Sequence, residues 1–157
     1  MIRVGVGFDV HKLVEGRDLW LGGIKIGHSM GLQGHSDADV LLHAVSDALL
    51  GAANMRDIGF HFPDTSAKTL DMDSKIILQR VVELIGEKGY KVINVDATIC
   101  AEQPKINPHV PAMKACMSAV MGIDEDQISI KATTTERLGF TGREEGMAAY
   151  AVCLIEK

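Results

Sequence analysis

Asp9 and His11 stand two apart in the stretch GFDVH, and a second histidine, His43, sits inside GHSDADVLLHAVSDALLGA. In an extended segment residues two apart project to the same side, so the Asp9 carboxylate and the His11 imidazole can converge on one ion. His43 can complete an Asp/His/His set. Nitrogen and oxygen donors of this kind suit zinc, and three protein ligands with an open fourth position describe a catalytic site. Spacing alone does not bring His43 to the other two, and the same residues also serve as unrelated polar positions at a strand end and on a helix.

Two further stretches could carry chemistry. GHSDA nearly matches the G-x-S-x-G elbow that presents a nucleophilic serine, but HSMGLQ before it is not the buried strand an elbow needs, and Ser36 suits the N-cap of the following helix. The start of that helix offers backbone N–H groups to an anion, with His35 and Ser36 as added donors. Asp37 and Asp39 oppose a bare anion, which favours a phosphate bridged through a cation. KATTTERLGFTGREEG sets Lys131, Thr133, Thr134, Thr135, Glu136 and Arg143 around a glycine-rich loop. Such a set can hold a diphosphate and a hard cation, with the Glu136 oxygen suiting magnesium or manganese; a threonine-rich strand ending in a solvated turn has the same composition. GVG near the start lacks the third glycine and the helix of a dinucleotide motif.

The elements that must position these groups follow from periodicity. Ile2, Val4, Val6 and Phe8 alternate as in a strand, which the pattern ends near Phe8, and LWLGGIKI reads as a hairpin around Gly22 and Gly23. A helix is predicted over about residues 36–53, opened by a capping-box-like Ser36 and Asp39. Its Asp39, His43 and Asp47 form a polar stripe that turns His43 away from the helix's own apolar side. DIGFHFPDTS reads as a loop, and DSKIILQRVVELIGEKG as an amphipathic helix stopped at Gly89. Ile93, Val95, Ala97 and Ile99 mark a half-buried strand. A helix over about residues 108–121 recurs at Met113, Met117 and Met121, which serve as core filler; QISIKATT and MAAYAVCLI are the last strands. The interleaving predicts a single domain over residues 1–157 with an α+β fold: a mixed four-stranded sheet in a ferredoxin-like arrangement, helices on one face and the other free for subunit contact.

Composition bounds the partners. With 157 residues, 46% of them hydrophobic, and a formal net charge of −5, the chain suits one ordinary core and neither a nucleic-acid surface nor an anionic membrane. No run of 18 apolar residues and no secretory signal pattern occurs. Three cysteines, Cys100, Cys116 and Cys153, without C-x-x-C spacing, read as buried free thiols.

Taken together and in order, GFDVH, GHSDADVLLHAVSDALLGA, DIGFHFPDT, PKINPH and KATTTERLGFTGREEG resemble one family over essentially the whole chain: the 2-C-methyl-D-erythritol 2,4-cyclodiphosphate synthases of the non-mevalonate isoprenoid pathway. The resemblance implies that Asp9, His11 and His43 bind a divalent cation, usually zinc, and that Glu136 holds magnesium or manganese with the substrate. The substrate implied is 4-diphosphocytidyl-2-C-methyl-D-erythritol 2-phosphate, whose 2-phosphate attacks the β phosphorus and expels CMP. His35 and Thr134 match positions that polarise phosphate in the transition state, with Ser36 beside them. Val10 belongs with Asp9 and His11 in the substrate-binding segment. Asp57, Ile58 and Gly59, with Phe62, Pro63, Asp64, Thr65 and Ser66, match the segments that grip the methylerythritol part. Ala101, Glu102, Gln103, Pro104, Lys105, Ile106 and Asn107, with Thr133, match those that receive the cytidine and its phosphates, and Thr135 matches a further substrate-binding position. The family's homotrimer shares each active site between neighbours, and Phe140, Arg143 and Glu145 match residues around a central cavity that in some members accepts an isoprenoid diphosphate. The cellular setting implied is the bacterial cytoplasm, or the plastid stroma behind a removed leader.

Two positions depart from the family pattern: Ser66, where many relatives carry aspartate, and Ile106, where leucine or methionine is common. Two other classes of function fit the same residues, a zinc phosphohydrolase and a noncatalytic metal- and nucleotide-binding module. The product of turnover separates them from the synthase.

Overall fold

A computed structural model describes residues 1–65, 67 and 70–157. Its main sheet has five strands, β1 (Ile2–Glu15), β4 (Met30–Leu32), β5 (Lys91–Cys100), β6 (Ile128–Thr133) and β7 (Gly146–Glu156), in the order β4-β1-β7-β5-β6. Only β5 and β6 pair in parallel; β7 runs antiparallel to both β1 and β5, and β4 antiparallel to β1. The fold is therefore α+β with a mixed sheet. A ferredoxin-like chain order, β-α-β-β-α-β, does not form. Parallel neighbours need a crossover, and α4 (Val110–Met121) supplies it between β5 and β6, leaving β6 and β7 joined through the short α5 (Gly139–Gly142). The fifth strand arises because β1 runs on past Phe8 and gives β4 a partner at Leu13, Val14 and Glu15.

The long pairing of β1 with β7 carries Asp9 and His11 in mid-strand, opposite Ala149 and Met147. Gly5, Gly7, Asp9, His11 and Leu13 share one face of β1 by strand alternation. Against that face lies α1 (Val40–Ala52), with α3 (Ser74–Glu87) packed against α1. The glycines make the close approach possible: a Cβ at Gly5 would stand 1.9 Å from the carbonyl oxygen of Ala48, and one at Gly7 1.9 Å from that of Ala44. Enclosed by strands and helix, α1 is buried nearly all round, including Leu41, Leu42, Leu49 and Leu50. Each such leucine contributes ~1.5–3 kcal/mol through burial.

That enclosure alters two expectations. The helix begins at Val40 with Asp39 as its cap, and Ser36 lies in the preceding loop. The polar stripe is also turned inward, with Asp39 fully buried and His43 6% exposed. Elsewhere the hairpin forms as β2 (Leu19–Leu21) and β3 (Ile24–Ile26), and Met113, Met117 and Met121 of α4 are buried in the core. DIGFHFPDTS contains one helical turn, α2 (Ile58–His61), capped by the Asp57 carboxylate accepting from the Phe60 N–H. The alternation of β5 breaks at a register shift between Val92 and Asn94, so Val92 is buried and Ile93 only half-buried.

The opposite face of the sheet carries a row of exposed apolar side chains: Val4, Val6, Phe8 and Val10 from β1, and Tyr150, Val152 and Leu154 from β7. Val6 pairs with Val152 and Phe8 with Tyr150, whose rings approach to 4.8 Å between centroids.

Candidate active site

Asp9 and His11 project from β1 toward α1, and His43, one turn into α1, meets them. Asp9 Oδ2 lies 2.9 Å from His11 Nε2 and 3.1 Å from His43 Nδ1, and the two imidazole nitrogens are 3.1 Å apart. Zinc bonds of about 2.0–2.1 Å at tetrahedral angles place donors about 3.3 Å apart, so this triangle is close to the size an ion requires.

The remaining ring nitrogens explain how both histidines aim lone pairs at one point. His11 Nδ1 lies 2.8 Å from the carbonyl oxygen of Gln33, and His43 Nε2 lies 2.9 Å from Ser74 Oγ and 3.2 Å from Ser36 Oγ. A carbonyl accepts only, so His11 Nδ1 carries the proton and Nε2 faces the triangle, as in a histidine ligand held by an outer partner. A carboxylate and imidazole lone pairs in contact repel unless a proton or cation lies among them, and this donor set fits a divalent metal. Burial pushes the Asp9 carboxyl up, but the hydrogen bonds and charges of His11 and His43 outweigh it and hold it at about 2. Burial pushes His11 down, and the hydrogen bond and charge of Asp9 more than reverse that.

Around the triad lies a cavity of about 420 Å³ lined by Gly34, His35, Ser36, Ile58, Gly59, Phe62, Asp64 and Ile77 as well as the three donors. Asp47, the last residue of the inward stripe, accepts from the Ile58 N–H at 2.8 Å and ties that wall to α1. Val10 faces the outer side of the sheet and can offer this cavity only main chain. Asp57 sits at the edge as the cap of α2, Thr65 is exposed in the following turn, and Ser66 lies outside the described residues. The expected anion site at the start of α1 is filled by the protein itself: Asp39 accepts from the N–H groups of Leu42, Gly22 and Gly23.

A second cavity, of about 370 Å³, is lined by Ala101, Glu102, Pro104, Lys105, Ile106, Asn107, Thr133 and Thr134 among others. Gln103 is exposed beside it. Glu102 accepts from the N–H groups of Thr135, at 3.0 Å, and Arg137, at 3.3 Å, and so braces a turn in which Glu136 and Arg137 both have positive φ. Exposed Glu136 lies in that turn. Phe140 follows on α5, and Arg143 beyond it forms a two-pronged ion pair with Glu145. Within one chain His35 lines the first cavity and Thr134 the second, so the two expected phosphate-polarising residues do not share a wall.

Sequence reasoning missed Arg17, Gln33 and Ser74, and it read Asp37 only as a charge at the start of the helix. Arg17 donates to the carbonyls of Gly34, at 3.4 Å, and Ser36, at 2.7 Å, bracketing His35, whose own carbonyl accepts from Asp71. Gln33 acts through its main chain, which leaves no signal in residue type. Gly34 had one legible feature, being a glycine between a strand and a cap; a Cβ there would stand 3.1 Å from His11 Cε1.

Comparison with known proteins shows the family. The profile of the YgbB family matches residues 2–156. The 2-C-methyl-D-erythritol 2,4-cyclodiphosphate synthase of Bacteroides thetaiotaomicron is 71% identical over 99% of this chain and 98% of its own length. The synthase of the same name from Phocaeicola vulgatus is 67% identical, with the same shares covered. Among solved structures, the bifunctional IspDF of Campylobacter jejuni superposes with a TM-score of 0.95 at 42% identity; it covers 99% of this chain, which spans 42% of that longer protein. A CDP-bound 2C-methyl-D-erythritol-2,4-cyclodiphosphate synthase superposes at 0.90 with 34% identity over 98% of this chain and 100% of its own. The CDP complex of Plasmodium falciparum IspF gives 0.86 at 37% identity, covering 98% and 95%. With a match over nearly every residue and the Asp9/His11/His43 triad in place, the chain belongs to the YgbB family, the family of the 2-C-methyl-D-erythritol 2,4-cyclodiphosphate synthases.

Proposed function

We propose that this chain converts 4-diphosphocytidyl-2-C-methyl-D-erythritol 2-phosphate to 2-C-methyl-D-erythritol 2,4-cyclodiphosphate and CMP, as a phosphorus–oxygen lyase working as a single catalytic domain. The observation that carries the reading is the convergence of Asp9, His11 and His43 on one point of a cavity walled by His35 and Ser36. Two solved relatives described as CDP complexes support a CDP-linked substrate.

The chemistry asks little of a protein base, because the attacking 2-phosphate is already an anion. An oxygen of that phosphate forms a bond to the β phosphorus. The bond from the β phosphorus to the oxygen shared with the α phosphate breaks, and its electron pair leaves with CMP. The protein must hold two mutually repelling phosphates close and in line. Asp9, His11 and His43 are the residues to hold zinc, and Glu136 to hold magnesium or manganese, ions that supply Lewis-acid stabilisation and neutralise phosphate charge. His35 and Thr134 polarise phosphate oxygens, and Ser36 adds a hydroxyl beside His35. Ile58, Gly59, Phe62, Pro63, Asp64, Thr65 and Ser66 hold the methylerythritol part, with Asp57 fixing α2. The 101–107 segment and Thr133 receive the cytidine and its phosphates, and Thr135 is a further substrate-binding position.

The working form in this reading is a homotrimer built on the apolar sheet face, with the triad cavity of one copy completed by the Thr134 cavity of its neighbour. Two features support it: the contiguous row from Val4 to Leu154, and the separate walls of His35 and Thr134 within one chain. Phe140, Arg143 and Glu145 then surround a central cavity suited to an isoprenoid diphosphate. No helix among the described residues is long and apolar enough to cross a membrane, the relatives above include bacterial enzymes, and the reading places the chain in the cytoplasm.

The test is phosphorus NMR of the purified protein with magnesium and the CDP-linked substrate. The expected products are CMP and a cyclic diphosphate. Inorganic phosphate in their place, the mark of a zinc phosphohydrolase, or no turnover, the mark of a noncatalytic module, overturns the reading.

A further inference from the structure

His43 has two faces: Nδ1 toward Asp9 and His11, and Nε2 toward Ser74, the first residue of α3. Ser74 has a partner of its own, since its hydroxyl donates to Asp37 Oδ1 and its backbone N–H donates to Asp37 Oδ2 at 3.0 Å. His43, Ser74 and Asp37 therefore form a chain leading away from the triad, with His43 and Ser74 almost fully buried.

The polarity of this chain is fixed by counting protons. A serine hydroxyl has one proton, and an ionised carboxylate only accepts. With its proton committed to Asp37, Ser74 Oγ can only accept from His43, which requires the proton of the neutral ring to sit on Nε2. That leaves the lone pair on Nδ1, facing Asp9 and His11. Were Ser74 free to turn, Nδ1–H could donate to Asp9 Oδ2, 3.1 Å away, and the ligand lone pair would point at Ser74 instead. Asp37 is itself held in place, accepting from the Asp39 N–H at 3.2 Å, while its own N–H donates to the carbonyl of Met72.

We propose that Ser74, oriented by Asp37, is a positioning residue that selects the metal-binding tautomer of His43. The proposal rests on the metal role given to the triad above. Partners that hold the other ring N–H of a ligand histidine typically change metal affinity by about 10–100-fold when lost. Ser36 Oγ, the longer neighbour of Nε2, already accepts from the Ala38 N–H and is the lesser support.

Two measurements test it on the full chain. Long-range 1H–15N NMR of the metal-free wild type at about pH 8, where imidazoles are largely neutral, is expected to show the Nε2–H tautomer for His43; an Nδ1–H tautomer overturns the proposal whatever any variant does. Competition of zinc against a chromophoric chelator is expected to show about 10–100-fold weaker binding by Ser74→Ala, with the His43 resonances moving toward a mixture of tautomers and the far-UV circular dichroism unchanged. Equal zinc affinity in both chains overturns the role of Ser74 and leaves the synthase reading standing. A wild type that takes up no zinc overturns both.

Discussion

Gly7 of β1 lies so close to Ala44 of α1 that a Cβ on Gly7 would stand 1.9 Å from the Ala44 carbonyl oxygen. Gly7 is two residues from Asp9, and Ala44 is the neighbour of His43. The contact therefore sets the distance between the strand half and the helix half of the triad. Backbone atoms cannot give way as a side-chain tip can, so Gly7→Ala is expected to destabilise the fold by about 3 kcal/mol or more. Urea unfolding of the purified variant checks this. Unchanged stability would show that α1 can lift from the sheet without cost.

Arg17 offers a perturbation of the site that leaves the triad alone. Its guanidinium spans the carbonyls of Gly34 and Ser36, so it fixes the loop on which His35 is carried. Small displacements of a group that contacts phosphate, the role proposed for His35, cost rate steeply, up to about 10²-fold. Arg17→Met is expected to lower kcat by about 10–100-fold with a smaller change in KM and with zinc content intact. Steady-state release of CMP, together with elemental analysis, reads both quantities. Wild-type kcat would mean that the loop holds itself.

The three cysteines give a prediction about reactivity. Burial pushes the Cys153 thiol up to about 11, against a smaller lowering by its contact with Gly5, and burial also raises Cys100. A raised thiol stays protonated at higher pH, so at about pH 8 roughly a thousandth of Cys153 is thiolate, the form that reacts. Cys116 is half-buried and raised as well, yet reagents can reach it. Iodoacetamide treatment of the native protein followed by mass spectrometry is expected to find slow labelling at Cys116 and none at Cys100 or Cys153, with all three labelled in urea. Fast native labelling of Cys153 would contradict its burial under α1.

How much of this could be read in the residues is clearest at the triad. The i, i+2 spacing of Asp9 and His11 put both on one side, and the structure keeps them there. Their polarity also suggested the end of a strand, and here pattern failed: the ladder with β7 carries β1 as far as Lys12 and pairing with β4 carries it on to Glu15, despite the charged positions. The stripe of Asp39, His43 and Asp47 was legible as a stripe but not as a buried one. Its burial comes from strands and α3 enclosing α1, a tertiary effect that periodicity within one helix does not contain. Asp39 took the cap from Ser36 because its carboxylate also satisfies the Gly22 and Gly23 N–H groups of a distant hairpin. Ser74 carried no motif and Asp37 was legible only as a charge beside Ser36, since their meeting depends on how a loop and the start of α3 are packed.

The exposed row on the outer sheet face makes the proposed trimer testable. Val6 and Val152 pair at its middle, 70% and 44% exposed, within a patch that also includes Phe8 and Tyr150. Apolar area of this extent is costly to leave in water and marks a surface that another protein covers. A carboxylate placed at Val6 would be buried without a partner in any copy-to-copy contact across this face, a penalty of several kcal/mol that the isolated chain would not feel. Val6→Glu is therefore expected to sediment as a monomer with native circular dichroism. Its turnover should fall by about 100-fold or more, because in the proposed trimer the groups lost with the neighbouring copy include Thr134 and the 101–107 segment. A monomer with wild-type turnover would mean that one chain holds a whole active site, and a stable trimer would mean that the copies meet on another face.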